Sequence, residues 1–297
     1  MATRREVLGK LGAFAFRWIR RAFAHPDIEV SERRGRKLGD LLYRLDRKHR
    51  ERSISNLALA FPDWDQAKCV ETSRAMHRHF GMVIADFMRS PLRSAEELEA
   101  TTVADPDSES LLDRAKLEGK GVLLITGHLG NWERVAQWFS QTHGQLAVVA
   151  RDADVGDLQK QVLALREGTG IEVLSRGSAA REIIKRLRSG GTVAILPDQN
   201  AEECFVPFFA KPAGTVLGPA VLHLRTGAPL LMFFTARVGV GKYRVWTEEV
   251  IMAAEGETPE ELMTRVNAAI ESAIRKYPEQ YLWMHDRWKS ARQRGLL

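Results

Sequence analysis

Polar and apolar positions divide the chain into a helical first third and an alternating α/β remainder. Over Ser31–Asn56 the residues Leu38, Leu41, Leu42 and Leu45 recur at helical spacing, which predicts a basic helix with those leucines as its buried stripe. Gln66–Met88 reads as a further helix, and Ser90–Ala115, which contains Pro91 and Pro106, as a charged connector with short helices at most. From Gly121 the pattern changes to short apolar runs separated by amphipathic stretches. Val122–Thr126, Leu146–Ala150, Ile171–Leu174 and Thr192–Leu196 read as buried strands, and Asp157–Glu167, Ser178–Arg188 and Val216–Arg225 as helices. Phe205–Gly214 reads as a loop, Leu230–Val238 and Tyr243–Val250 as a hairpin, and Thr258–Lys276 as a long amphipathic helix. The alternation predicts an α/β fold: a central mixed, largely parallel sheet flanked by helices, with an α-helical N-terminal layer. No repeat, low-complexity tract or flexible linker interrupts it. The expected division is a membrane-associating helix over residues 1–24 and one domain over 25–297, with a helical layer (25–116) and an α/β core (117–297).

The candidate chemistry gathers at Gly121–Glu133. A buried strand runs into Gly127-His128-Leu129-Gly130, a turn in which glycines bracket an imidazole. Asn131 is a plausible helix cap, and Trp132, Val135, Ala136 and Phe139 form a helical stripe behind it. The chain therefore puts His128 at the carboxyl end of a strand, where ligands bind in open α/β sheets, and Glu133 in the first turn of the next helix. A histidine held by a carboxylate suits general-base catalysis, because the carboxylate fixes the tautomer and stabilises the imidazolium that forms. No Ser or Cys lies in the motif, so the nucleophile reads as the substrate's own alcohol. The alternative is a capping carboxylate beside a loop histidine.

Two further polar residues end predicted strands, Arg151 and Asp198, and both converge with His128 if these strands are parallel. Arg151 suits a phosphate or a developing oxyanion, or else a surface salt bridge. Asp198 ends a buried strand, where an unpaired carboxylate is costly; it either binds substrate or orders the following loop.

Charge and composition narrow the partners. The 297 residues carry 44 Lys and Arg against 38 Asp and Glu, a formal excess of +6, which suits an anionic partner such as phospholipid, a phosphorylated glycolipid, an acidic carrier protein or nucleic acid. No nucleic-acid module, Walker sequence or full dinucleotide fingerprint is present, so nucleic acid is not expected. Cys69 and Cys204 fit no metal-ligand spacing and read as reduced thiols. His77 and His79 stand two apart on a predicted helix and share no face, so no metal is expected and both read as surface or partly buried residues. Val7–Ala24 interleaves Leu8, Leu11, Phe14, Trp18, Ile19 and Phe23 with Arg17, Arg20 and Arg21. It is too interrupted to span a bilayer and has the pattern of an interfacial amphipathic helix, or of one packed on the domain's own core.

Four blocks in order resemble the lipid A secondary acyltransferase family, the lauroyl and myristoyl transferases within the wider glycerolipid acyltransferase superfamily. They are Arg52–Trp64 with Asn56-Leu57 and Ala60-Phe61-Pro62; Gly127–Glu133; Asp198-Gln199 followed by Phe205-Val206-Pro207-Phe208-Phe209; and Trp283–Lys289. Together they cover roughly residues 45–289. Arg151 matches a further block of the family. Ala210 stands where the family usually has Gly, and the N-terminus lacks the transmembrane anchor that members often carry.

The resemblance implies a glycerolipid acyltransferase-like fold and an O-acyltransferase that moves a fatty-acyl chain from a thioester, on acyl carrier protein or coenzyme A, to a hydroxyl of a lipid A precursor. No cofactor or metal is implied beyond that co-substrate. His128 and Glu133 would be catalytic, and Asn131, Arg151, Asp198 and Gln199 would bind substrate. Phe205, Phe208 and Phe209 would wall the acyl groove, with a lid packed on the core as the other reading of that run. The expected partners are acyl carrier protein, the glycolipid and inner-membrane phospholipid, and the expected place is the cytoplasmic face of the cell inner membrane. A lysophospholipid or other glycolipid is the alternative acceptor, and a non-catalytic membrane scaffold the reading from another class.

Overall fold

The structure, a computed structural model, describes residues 16, 18–117, 119–150 and 157–297. The expected membrane-associating helix therefore falls largely outside the described residues, as does Arg151. Among those described, three helices make the first layer: α1 (Ile28–Leu45), α2 (Arg47–Ala60) and α3 (Gln66–Met88). Each begins at an aspartate whose carboxylate accepts the otherwise unpaired amide hydrogens of the first turn: Asp27 from Glu29 N at 2.8 Å, Asp46 from His49 N at 3.2 Å and Asp65 from Lys68 N at 2.7 Å. Asp46 thus divides what the periodicity presented as one helix.

The leucine stripe of α1 does not face the core. The helix instead buries Ser31, Glu32, Gly35 and Gly39 against α3. A Cβ on Gly39 would lie 2.2 Å from the His77 carbonyl oxygen, and one on Gly35 would lie 2.6 Å from that of Gly81. Backbones at this separation leave room only for glycine, so the leucines are turned from this contact: Leu38 and Leu42 are half-buried, and Leu41 and Leu45 are 49% and 74% exposed. His77 and His79, on the opposite side of this contact, are buried rather than superficial.

The expected connector contains α4 (Ala95–Thr101), β1 (Thr102–Ala104) and α5 (Pro106–Leu117). The core follows with β2 (Val122–Ile125), α6 (Trp132–Thr142), β3 (Leu146–Ala150), α7 (Asp157–Glu167), β4 (Glu172–Ser175), α8 (Arg176–Arg188) and β5 (Thr192–Ile195). Next come β6 (Cys204–Phe208), β7 (Lys211–Thr215), α9 (Gly218–Thr226), β8 (Leu230–Gly239), β9 (Lys242–Ile251), α10 (Pro259–Lys276) and the short α11 (Lys289–Gln293). Seven strands form one sheet in the order β1-β9-β8-β2-β5-β3-β4. The run from β8 to β4 is parallel; β9 lies antiparallel to β8, and β1 parallel to β9, so the sheet is mixed and largely parallel as expected.

Helices cover both faces. Val135, Trp138 and Phe139 of α6 pack with Leu124, Ala194 and Phe233 on one face, while Ile183 and Leu187 of α8 and Ile270 of α10 pack with Ile125 and Val193 on the other. Burial on both faces explains why these strands read as continuous apolar runs rather than alternating ones.

Phe205–Gly214 is not a loop. Its residues form the antiparallel pair β6–β7, joined by Phe209 and Ala210 at φ 51° and 57°. Two consecutive left-handed residues make the turn whose twist matches a two-residue hairpin. A side chain in that region costs about 1–2 kcal/mol, which gives position 210 a physical reason to favour glycine.

Candidate active site

His128 and Asp198 meet because β2 and β5 are neighbours in register. Ile125 pairs with Ile195, and each strand continues three residues further to reach its polar side chain. The Asp198 carboxylate accepts twice from His128, at 2.8 Å from the backbone N and at 2.8 Å from the ring Nδ1. Nδ1 therefore carries its hydrogen toward Asp198, and Nε2 is left as the lone-pair nitrogen, with the Gln199 amide nitrogen 3.4 Å away as its donor. This is the tautomer that a general base requires.

Burial draws His128 toward the neutral form, but the charge and hydrogen bond of Asp198, with a lesser contribution from Glu133, outweigh it and hold the imidazole pKa above its ordinary value. For Asp198 burial favours protonation, and the His128 charge and hydrogen bonds together with Arg287 overcome it, so its pKa lies below the usual carboxylate range.

Glu133 does not hold the imidazole. Its carboxylate binds Arg166 of α7 in a fork, with Nε donating to Oε2 at 2.9 Å and Nη2 donating to Oε1. The reason is geometric: Glu133 lies one residue into a helix that leads away from the strand edge, whereas Asp198 ends the adjacent strand. Arg166 was not legible as a site residue, because nothing in the sequence within α7 distinguishes it from Lys160, the other cation there.

Asn131 is also turned away from the site. Its Oδ1 accepts from Arg134 N at 3.0 Å to cap α6, and its Nδ2 donates to Asp86 at 2.7 Å. Fully buried, it anchors the motif to a network in which Asp86 is also bound by Arg93 and Arg134 and has Arg89 at 3.7 Å.

The rest of the turn is held from three sides. Gly130 has φ 61°, and a Cβ there would meet the Thr235 carbonyl oxygen at 2.1 Å. Its carbonyl accepts from His79 Nε2 at 2.9 Å, and burial keeps that imidazole neutral, with a pKa of about 4. The C-terminal block straps the opposite side: Leu282 N donates to the His128 carbonyl at 3.1 Å, and Gly130 N to that of Gln280 at 3.1 Å.

Asn56 of the N-terminal block donates to the carbonyls of Trp283 and His285 at 2.9 and 2.8 Å. His285 Nε2 accepts from Asn200 N at 2.8 Å, and the Arg287 guanidinium donates to the Gln199 carbonyl at 3.5 Å and to Thr215 Oγ1 at 2.8 Å. Trp283 and Trp288 are buried in this strap, which is a packed tail rather than an aromatic anchor.

A cavity of about 700 Å³ opens at this point. His128, Trp132, Glu133, Arg166, Gln199 and Asn200 line its polar part, and Leu124, Val135, Phe139, Val148, Ile183 and Leu222 belong to its apolar walls. Phe205, Phe208 and Phe209 line none of it. Phe208 packs on Trp288 and Tyr281, Phe209 on Phe61 and Trp283, and half-buried Phe205 under the Arg294 guanidinium. The expected acyl wall is thus a structural hairpin, and the apolar surface beside His128 comes from the sheet and the helices flanking it.

The two cysteines are buried and free, and neither lines the cavity; burial raises Cys204 to about 11, so it is no thiolate nucleophile. Among the described residues no group of His, Cys, Asp and Glu could hold a metal ion.

The bacterial lipid A biosynthesis acyltransferase model matches residues 3–290. The chain belongs to that family. Similar proteins include a lauroyltransferase of lipid A biosynthesis from Escherichia coli, 26% identical over 278 residues that cover 88% of this chain and 86% of the relative. A lipid A biosynthesis acyltransferase from Haemophilus influenzae is 24% identical over 258 residues, 84% and 78% of the two chains. A phosphatidylinositol mannoside acyltransferase from Mycobacterium tuberculosis is 32% identical over 126 residues, and there the match spans only 40% of this chain and 40% of the relative's length. The four blocks quoted above all fall within the span that the family model matches.

Proposed function

We propose that this protein transfers a fatty-acyl group from a thioester to a hydroxyl of a glycolipid, with a lipid A precursor as acceptor and acyl carrier protein as carrier of the donor. The observation that supports it best is the His128–Asp198 pair at the mouth of an apolar cavity of about 700 Å³. Hydrocarbon burial contributes about 0.8 kcal/mol per methylene, so such a cavity favours a fatty chain.

In this reading His128 Nε2 takes the proton of the acceptor hydroxyl as its oxygen attacks the thioester carbonyl. Asp198 holds Nδ1–H and stabilises the imidazolium. The tetrahedral intermediate collapses with loss of thiolate, which recovers the proton from Nε2, leaving an ester and a free thiol. Gln199 and Asn200 supply polar contacts at the mouth. Arg151 is retained as the cation for a phosphate or the oxyanion. Glu133 acts through Arg166, whose side chain it orients in the cavity wall.

Purified protein with acyl thioester and acceptor tests this directly. His128→Ala abolishes ester formation while the thermal transition stays where it was; full turnover by a folded His128→Ala protein refutes the assignment.

The same proposal includes peripheral attachment to the cytoplasmic face of the inner membrane. No helix among the described residues is long and apolar enough to cross a membrane. The exposed Trp18, Ile19, Leu41 and Leu45 instead lie on helices rich in Lys and Arg, a composition suited to anionic headgroups. Each such cation contributes on the order of 1 kcal/mol near the surface and is screened by salt. Flotation with vesicles containing anionic lipid should show binding that weakens with salt and falls in Leu41→Ser/Leu45→Ser; salt-independent binding that survives both changes overturns this mode of attachment.

A further inference from the structure

Arg287 is a buried arginine without an acidic partner of its own. It lies in the strap that follows α10 and is only 2% exposed. Among the described residues its guanidinium bonds to neutral oxygens alone: the carbonyls of Gln199 at 3.5 Å and of Gly214, and Thr215 Oγ1 at 2.8 Å. Its Nε has no partner, and the group stands over the Phe208 ring, 5.1 Å from the centroid. A guanidinium held away from water is costly unless an opposite charge faces it. The anion that faces Arg287 is Asp198, the residue before Gln199, which is itself 2% exposed and forms its ion pair with the His128 ring.

General-base action needs one charge state of that pair, with His128 neutral and Asp198 ionised. The pair then carries a net negative charge in a buried place, and a neutral imidazole cannot balance it. The other ionisable groups nearby do not supply the cation. Arg166 of α7 is taken by the fork from Glu133 of α6. On the strap, burial keeps His285 neutral, with a pKa of about 4, and holds Tyr281 well above the ordinary tyrosine range. Asp286 is engaged by Arg292 and Arg52, and Glu271 of α10 by Arg275. Burial raises Cys204 of β6 to about 11, so no thiolate answers Arg287 from that side, and Lys211 and Lys289 are exposed to water. What is left is one buried cation without an ion pair and one buried anion beside a neutral ring, joined through the Gln199 peptide.

We propose that Arg287 is the counter-charge of the His128–Asp198 pair, a positioning residue that holds the pair in its working state of neutral imidazole on ionised carboxylate. The proposal rests on the acyl transfer above for its kinetic readout alone. Removing a nearby cation eases protonation of both partners, so the pair, titrating as a unit, would take up its proton at higher pH. A residue that only secures the strap would instead lower turnover at every pH and leave the inflection in place.

Arg287→Met should move the inflection of kcat/KM upward by about one pH unit, opposite in direction to Asp198→Asn. Turnover below the inflection should fall about tenfold and recover most of the way above it. Arg287→Lys keeps the charge but not the fork, so its inflection should stay close to that of the unaltered protein even as turnover declines. Nitrogen NMR of labelled histidine, with the His128 signal assigned by its absence from His128→Ala, should show the same displacement and needs neither thioester nor acceptor. Stability gives a separate measurement. Asp198→Asn leaves Arg287 unbalanced, so Asp198→Asn/Arg287→Met should lose less in chemical denaturation than the two single losses added together. If Arg287→Met does not fold alone, the double variant decides: it folds if the two charges balance and fails if Arg287 only secures the strap. An imidazole titration unmoved or moved downward in Arg287→Met, an equal displacement in Arg287→Lys, or additive stability losses overturn the proposal. Absence of transfer from every thioester, with the imidazole titration displaced as expected, refutes the proposed function and leaves the counter-charge standing.

Discussion

Asp198→Asn should lower turnover by about four orders of magnitude in a protein that still folds, the size of effect seen where an orienting aspartate loses its charge but keeps its shape. The amide can no longer hold Nδ1–H, so the imidazole is released to the tautomer that presents a hydrogen, not a lone pair, to the acceptor. The pH profile carries an independent signature. General-base action needs neutral His128, and Asp198 raises the pKa of that imidazole against the opposing effect of burial. In the unaltered protein kcat/KM should therefore rise with pH through an inflection above the ordinary histidine value of about 6.5. In Asp198→Asn the burial effect remains without its counterweight, so the inflection moves down as the plateau falls. Glu133→Gln should cost less and move the inflection less, because that carboxylate bonds to Arg166 and reaches His128 only through space. Equal losses and equal displacements in the two variants would return Glu133 to the orienting role.

The largest expected effect on stability lies at Asp86. Burial opposes its charge, yet Arg93, Arg134 and Arg89 around it hold its pKa below the usual carboxylate range. Arg93 also binds Gln137 at 2.9 Å, Arg89 binds the carbonyls of His25 and Pro26 at 2.7 and 2.9 Å, and Asn131 ties the cluster to the His128 turn. Asp86→Ala leaves three buried guanidinium groups without their common counter-charge. Removing one partner of a buried ion pair costs about 3–5 kcal/mol, on the order of 10 °C in melting temperature. Chemical denaturation should show that loss, accompanied by reduced turnover, because Asn131 loses the acceptor that fixes the start of α6. An unchanged denaturation midpoint would mean that the arginines find other partners and that the network is not a keystone of the N-terminal layer.

Several features were settled by the sequence alone, for local reasons. Buried parallel strands are apolar throughout, so β2 to β5 were visible as runs; the hairpin of β8 and β9 was visible through its turn, and α10 through its amphipathic stripe. The motif around His128 announced itself because a strand, a glycine-bracketed turn and a helix cap lie within thirteen consecutive residues, Gly121–Glu133. Where the reading depended on what packs against what, it failed. Leu41 and Leu45 of α1 face outward because Gly35 and Gly39, without side chains and silent in a hydrophobicity pattern, decide the contact with α3. β1 has only three residues and gained its place by pairing with β9, about 140 positions away.

The site divides in the same way. That Asp198 could converge with His128 was legible as a condition on parallel strands. That it, rather than Glu133, takes Nδ1 required the order β2-β5 and the register of Ile125 with Ile195, which no local pattern contains. Phe208 and Phe209 looked like a groove wall because aromatic runs look alike whether they face a ligand or a core. Only the tertiary structure, by seating them against Trp283 and Trp288, left the apolar space beside His128 to be walled by the sheet and by α6, α8 and α9. Sequence periodicity records how a segment divides water from protein; it does not record which protein surface that segment meets, and the pairing of His128 with Asp198 and the shape of the cavity are both properties of that meeting.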